Sequence, residues 1–124
     1  MAQVLSAEKR STLERYVELF NQRDWDGLRA LLSEETRVDL VSRLQRRVVE
    51  ARYFDNYERV LAREDIRAVP GFVDGVAVIA MFRMPELATP AYFLLLDWED
   101  DDISLIRDFR YVPYIASGAR FSHG

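Results

Sequence analysis

The sequence predicts an α+β fold in which three N-terminal helices close over a strongly curved, mostly antiparallel sheet. Two observations predict it. Apolar residues recur at helical spacing up to about residue 62, the mark of helix faces packed on a core. Beyond that point the chain divides into segments of strand length with turn signals between them, the pattern of a sheet built largely from hairpins. A length of 124 residues with 49% hydrophobic content supports one real core and not two, so a single domain over residues 1–124 is expected.

Taken in order, the first helix is expected over residues 7–22 with Ser6 as its cap. Leu13, Tyr16, Val17 and Phe20 fall on one of its faces at i, i+3, i+4 and i+7. Asn21-Gln22-Arg23 breaks that period, and the Asp24 carboxylate can cap a second helix over residues 25–32, with Leu28, Leu31 and Leu32 as its stripe. A first strand is expected over residues 37–44. Helical spacing returns over residues 48–62 through Val49, Phe54, Tyr57 and Leu61. Residues 66–69 read as a short strand ended by Pro70-Gly71. Asp74-Gly75 is a hairpin turn signal between Phe72-Val73 and a strand over residues 76–84. Two more strands follow over residues 91–98 and 103–115, and the three long strands are expected to be neighbours.

Residues 76–82 are apolar throughout, and so are residues 91–96. Such strands are covered on both faces. One face would pack on the helices, and a second copy of the chain is the expected cover for the other. This gives a homodimer through the outer sheet face.

Composition removes several classes of chemistry. Cysteine is absent and His123 is the only histidine, which excludes disulfides, thiol nucleophiles and histidine-based metal centres or triads. No metal and no cofactor is expected. No apolar run approaches membrane-spanning length and no leader opens the chain, so a cytoplasmic location away from membranes is expected. Net charge is -4, and Lys9 is the only lysine beside sixteen arginines. The cluster Arg43, Arg46, Arg47 and Arg52 is short and the overall sign is wrong for a nucleic-acid reader, so no direct nucleic-acid contact is expected. The acidic run from Asp97 to Asp102 lacks the spacing and glycine of a calcium loop and reads as a solvated turn.

The last strand carries the most suggestive chemistry, Ile106-Arg107-Asp108-Phe109-Arg110-Tyr111. Alternation places Ile106, Asp108 and Arg110 on one face and Arg107, Phe109 and Tyr111 on the other. A carboxylate in an apolar sheet is costly unless paired. Asp108 therefore needs a partner, with Arg110 or Arg83 as candidates, or it serves as a pocket base. Tyr53, Phe54 and Tyr57 add an aromatic face to the third helix, and a buried tyrosine hydroxyl needs a hydrogen-bond partner of its own.

The passage over residues 14–33, a helix, a polar corner and a second helix leading into a strand, resembles the opening of the nuclear transport factor 2-like superfamily. That superfamily is the cone-shaped fold of ketosteroid isomerase, limonene epoxide hydrolase and SnoaL-type polyketide cyclases. The resemblance implies an enclosed pocket between the helices and the concave sheet. Tyr16 falls where the isomerase has its oxyanion-stabilising tyrosine, while the position of that family's general base is Leu40, with Asp39 one residue away on the opposite face. The isomerase's second oxyanion donor aligns near Tyr92 or Phe93. Arg107-Asp108-Phe109 is similar to the run that supplies the water-activating aspartate of the hydrolase, although that enzyme's partner acid has no counterpart in Met81-Phe82-Arg83. Its water-holding tyrosine and asparagine correspond to Val38 and Leu40.

Longer stretches resemble the SnoaL-like domain appended to extracytoplasmic-function sigma factors of bacteria. They are Leu13-Glu-Arg-Tyr-Val, Phe20-Asn-Gln-Arg-Asp-Trp-Asp-Gly-Leu, Tyr53-Phe-Asp-Asn-Tyr, Leu96-Asp-Trp and Ile106-Arg-Asp-Phe-Arg-Tyr. That resemblance implies a regulatory domain without known catalysis. Two readings therefore stand. One is a domain binding a small hydrophobic or amphipathic ligand in a pocket lined by Tyr16, Phe20, Leu40, Tyr53, Tyr57 and Arg110. The other is an enzyme of cyclase, isomerase or epoxide hydrolase type with Asp108 as general base.

Overall fold

The computed structural model of the chain describes residues 5–33, 35–40, 45–47, 52–86, 89–109 and 121–123. Helices α1 (Ala7–Asn21) and α2 (Trp25–Leu31) lead to strands β1 (Arg37–Leu40) and β2 (Gln45–Arg47), then α3 (Arg52–Val60). The remainder is sheet: β3 (Ile66–Val73), β4 (Val76–Arg83), β5 (Tyr92–Glu99), β6 (Asp102–Asp108) and β7 (Phe121–His123). The strands form one sheet in the order β2-β1-β6-β5-β4-β3-β7. Every pairing is antiparallel except β1 with β6, which is parallel. The three long strands β4, β5 and β6 are neighbours, as the hairpin signals require.

Local chemistry fixes the helical corner. Ser6 caps α1 by accepting from the Lys9 amide at 3.2 Å, and Asp24 caps α2 by accepting from the Gly27 amide at 2.9 Å. A Cβ on Gly27 would lie 2.7 Å from Leu19 Cδ2 and 2.8 Å from Asp24 Oδ2, so the corner leaves no room for a side chain there. The residues that break the helical period tie the corner to the sheet. Asn21 exchanges two 2.8 Å hydrogen bonds with the Ala68 backbone, donating to its carbonyl and accepting from its amide. Arg23 donates to the carbonyls of Phe20 and Ile66 and to the Asp65 carboxylate.

The sheet departs from the sequence expectation in three places. Residues 45–47 form β2, which carries no apolar alternation and is held by backbone pairing to β1 at a sheet edge. β3 runs through Pro70 instead of stopping there. Among the described residues β7 pairs with Gly71 to Val73 and not with Pro70, whose missing N–H is tolerated where a strand lacks a neighbour on that side. β7 itself, Phe121–His123, was not foreseen. The expected hairpin at Asp74-Gly75 does form, and both residues take positive φ, 50° and 81°, the primed geometry that matches strand twist. The outer parts of three expected elements, residues 41–44, 48–51 and 110–115, lie outside the described residues.

The main core lies between the helices and the sheet. Leu13, Tyr16, Val17 and Phe20 from α1, Leu28 from α2 and Phe54 and Tyr57 from α3 pack on Ile79, Met81, Tyr92, Leu94 and Ile106 of the sheet. A second cluster, Val78, Ala80, Phe82 and Phe93, lies on the outer face and is buried within the single chain. Among the described residues Val76 is the exposed large hydrophobic, at 41%. Val69, Val73 and Leu95 pack on this outer cluster and are only partly buried.

Candidate functional site

Alternation along β6 turns Ile106 and Asp108 inward, where both are fully buried, and turns Arg107 outward to pair with Asp97 at 2.7 Å. Register sets Asp108 between Leu94 on β5 and Leu40 on β1. Asp39 stands opposite Arg107, on the outward side of the strand. Two tyrosines of α3 meet the buried carboxylate. Tyr53 and Tyr57 are four residues apart, so they project from one helix face a single turn apart. Each donates its hydroxyl to Asp108 Oδ2 at 2.8 Å.

The network extends beyond this pair. The hydroxyls of Tyr57 and Tyr92 are 2.7 Å apart. A phenol has one proton, and that of Tyr57 goes to Asp108, so Tyr92 donates in the second bond. Tyr16 joins on the α1 side beside Tyr53, one helical turn before Phe20. The rings hold one another edge-on, Phe20 to Tyr57 at 5.2 Å and Tyr53 to Tyr57 at 5.3 Å between centroids. Burial first, and the charge of Asp108 next, push the Tyr16 and Tyr53 phenols well above their ordinary range. Both therefore remain protonated donors at any physiological pH.

Five expected site residues, Tyr16, Phe20, Tyr53, Tyr57 and Asp108, come together in this way, none more than 6% exposed. Leu40 joins through its backbone pairing with Asp108. Arg110 lies outside the described residues. Arg83 is engaged elsewhere: its Nε donates to Glu64 at 3.0 Å, and its guanidinium lies 5.9 Å from the centroid of the Tyr92 ring. The described partners of Asp108 are thus two phenols, and of the two candidate arginines Arg83 pairs with Glu64 instead. Tyr92 entered only through the family resemblance, as one of two residues near the isomerase's second oxyanion donor. In an all-apolar strand nothing marks one residue as polar in function until register puts its hydroxyl beside Tyr57.

No family model matches the chain, and no curated protein matches it. Solved structures do. The LEH-like epoxide hydrolase of M. tuberculosis superposes with a TM-score of 0.57 at 17% identity, covering 90% of each chain. An NTF2-like protein of unknown function from Burkholderia pseudomallei gives 0.58 at 13% identity over 84% of this chain and 91% of its own. Bal32a, from a soil-derived mobile gene cassette, gives 0.57 at 18% identity over 86% and 92%. The fold is that of the nuclear transport factor 2-like proteins. Other similar structures are assigned as polyketide cyclases and a ketosteroid isomerase. At these identities the likeness extends to the fold alone.

Proposed function

We propose that this chain is a small-ligand-binding domain whose polar anchor is the tyrosine–Asp108 network inside the cone. The observation that carries the reading is the convergence of Tyr53 and Tyr57 on one buried carboxylate oxygen. A core needs packing and no charge, and burying a carboxylate among apolar side chains is costly unless it is fully partnered. Phenylalanine at positions 53 and 57 with an aliphatic residue at 108 would fill the same space without that cost. A hydrogen-bonding cluster in an apolar concavity suits a small hydrophobic or amphipathic molecule bearing one polar group. The regulatory part of the proposal, control of a partner by ligand occupancy, rests on the sequence resemblance to sigma-factor accessory domains.

The test is native mass spectrometry of the purified chain beside its Asp108→Asn variant, with folding followed by circular dichroism. The expected result is a retained small molecule in the parent and its loss in a folded variant. A parent that carries nothing and is not stabilised by any member of a hydrophobic ligand panel would count against the reading.

A second reading is supported by the hydroxyl chain Tyr92 to Tyr57 to Asp108. A carboxylate at the end of such a chain can take a proton and be re-oriented by its donors. In this reading Asp108 is the general base of a cyclase, isomerase or epoxide hydrolase reaction. Turnover of an epoxide or a polyketide ester that vanishes in folded Asp108→Asn would favour it over binding alone.

A further inference from the structure

The chain carries a net charge of -4, yet one open groove on its surface is basic. The groove has a volume of about 910 Å³, and its lining includes Arg59, Arg63, Arg83, Glu64, Val60 and Ala62. Two separate segments build it. Arg59 lies in the last turn of α3, and Arg63 follows one turn later, in a bend held by the Arg63 and Glu64 amides donating to the Val60 carbonyl. Arg83 ends β4, where register sets it opposite Ile66 at the start of β3.

The charges in this groove do not balance. The one carboxylate among its described lining residues, Glu64, is taken by Arg83 at 3.0 Å. Arg59 bonds only the neutral side-chain amide of Asn56, and Arg63 has no ion-pair partner among the described residues. By contrast Arg10, Arg15, Arg23, Arg29, Arg67 and Arg107 each face a carboxylate. Cations suit a helix C-terminus, which accounts for Arg59 but not for Arg83 arriving from a strand. Val60 and Ala62 add apolar surface beside the guanidinium groups.

We propose that this groove binds a dianionic phosphate monoester with a small apolar body. Guanidinium forks match phosphate oxygens two at a time. A phosphate monoester carries about -1.5 to -2 charges at pH 7, which meets the two guanidinium groups left without a carboxylate. Val60 and Ala62 receive the ester's organic part. The site meets the Asp108 network at Arg83, whose guanidinium lies 5.9 Å from the centroid of the Tyr92 ring, and shares none of its hydroxyl or carboxylate groups.

The test is isothermal titration with phenyl phosphate and with inorganic phosphate at low ionic strength, because charges in an open groove are screened by salt. Phenyl phosphate should bind more tightly than the bare ion. The double variant Arg59→Ala/Arg63→Ala should weaken it about tenfold or more, the scale of losing hydrogen bonds to a charged group. Arg10→Ala/Arg15→Ala removes the same charge from exposed α1 positions outside the groove and should leave affinity within about twofold, since distant surface charges are screened. Asp108→Asn should also bind phenyl phosphate unchanged, which separates this site from the one inside the cone. Absence of binding, or an equal loss in both arginine pairs, would overturn the proposal. So would equal affinity for the ester and the bare ion. All four side chains are exposed, and circular dichroism checks that each variant is folded.

Discussion

Tyr57→Phe is the sharpest probe of the buried network. The ring stays, so its edge-on contacts with Phe20 and Tyr53 are retained. Two hydrogen bonds go: the 2.8 Å bond to Asp108 and the 2.7 Å bond received from Tyr92. A hydrogen bond to a charged group contributes about 1.5–3 kcal/mol and a neutral one about 0.5–1.5 kcal/mol, so the loss should be about 2–4.5 kcal/mol. That is a large share of a typical stability of about 5–15 kcal/mol. Tyr53→Phe gives up the 2.8 Å bond to Asp108 and the hydroxyl contact with Tyr16 and should cost a similar amount. The assay is urea denaturation followed by tryptophan fluorescence and circular dichroism, with the midpoint shifting at constant slope. A Tyr57→Phe variant within about 0.5 kcal/mol of the parent, the range of ordinary surface substitutions, would refute the network as drawn.

Further outcomes follow from the same groups. Tyr16 and Tyr53 have phenols raised by burial and by Asp108. The unfolded chain therefore releases these protons first as pH rises, and their stabilisation, full below pH 10, is lost above it as pH climbs through the folded values. Two such groups give a slope of up to about 2.7 kcal/mol per pH unit, halved in Tyr53→Phe, measurable by denaturation between pH 9 and 11. Asn21→Ala removes both bonds to the Ala68 backbone and should cost about 1–3 kcal/mol, read by thermal melting, with α1 itself still formed.

The α+β order, the caps at Ser6 and Asp24 and the Asp74-Gly75 hairpin were legible in the sequence because each depends on residues close in the chain. Helical spacing placed Tyr16 with Phe20 and Tyr53 with Tyr57 on common faces, and strand alternation put Asp108 on the same face as Ile106, for the same reason. The family resemblance added the cone. What covers the outer sheet face could not be read, because an apolar strand looks alike whether its own chain or another copy buries it.

Tertiary structure decided the partners. Asp108 sits 51 residues from Tyr57, and no local rule says which of many polar groups will meet a buried carboxylate. Strand pairing set that outcome. The parallel addition of β1 to β6 put Leu40 beside Asp108, and the β5–β6 register brought Leu94, and with it Tyr92 two residues away, to the same end of the concavity. The basic groove has the same origin: Arg59 and Arg63 are linked by helical spacing, but Arg83 reaches them only because β4 folds back on β3. Periodicity determines which way a side chain faces. What it then meets is set by register and packing between distant segments, which carry no local signature in the chain.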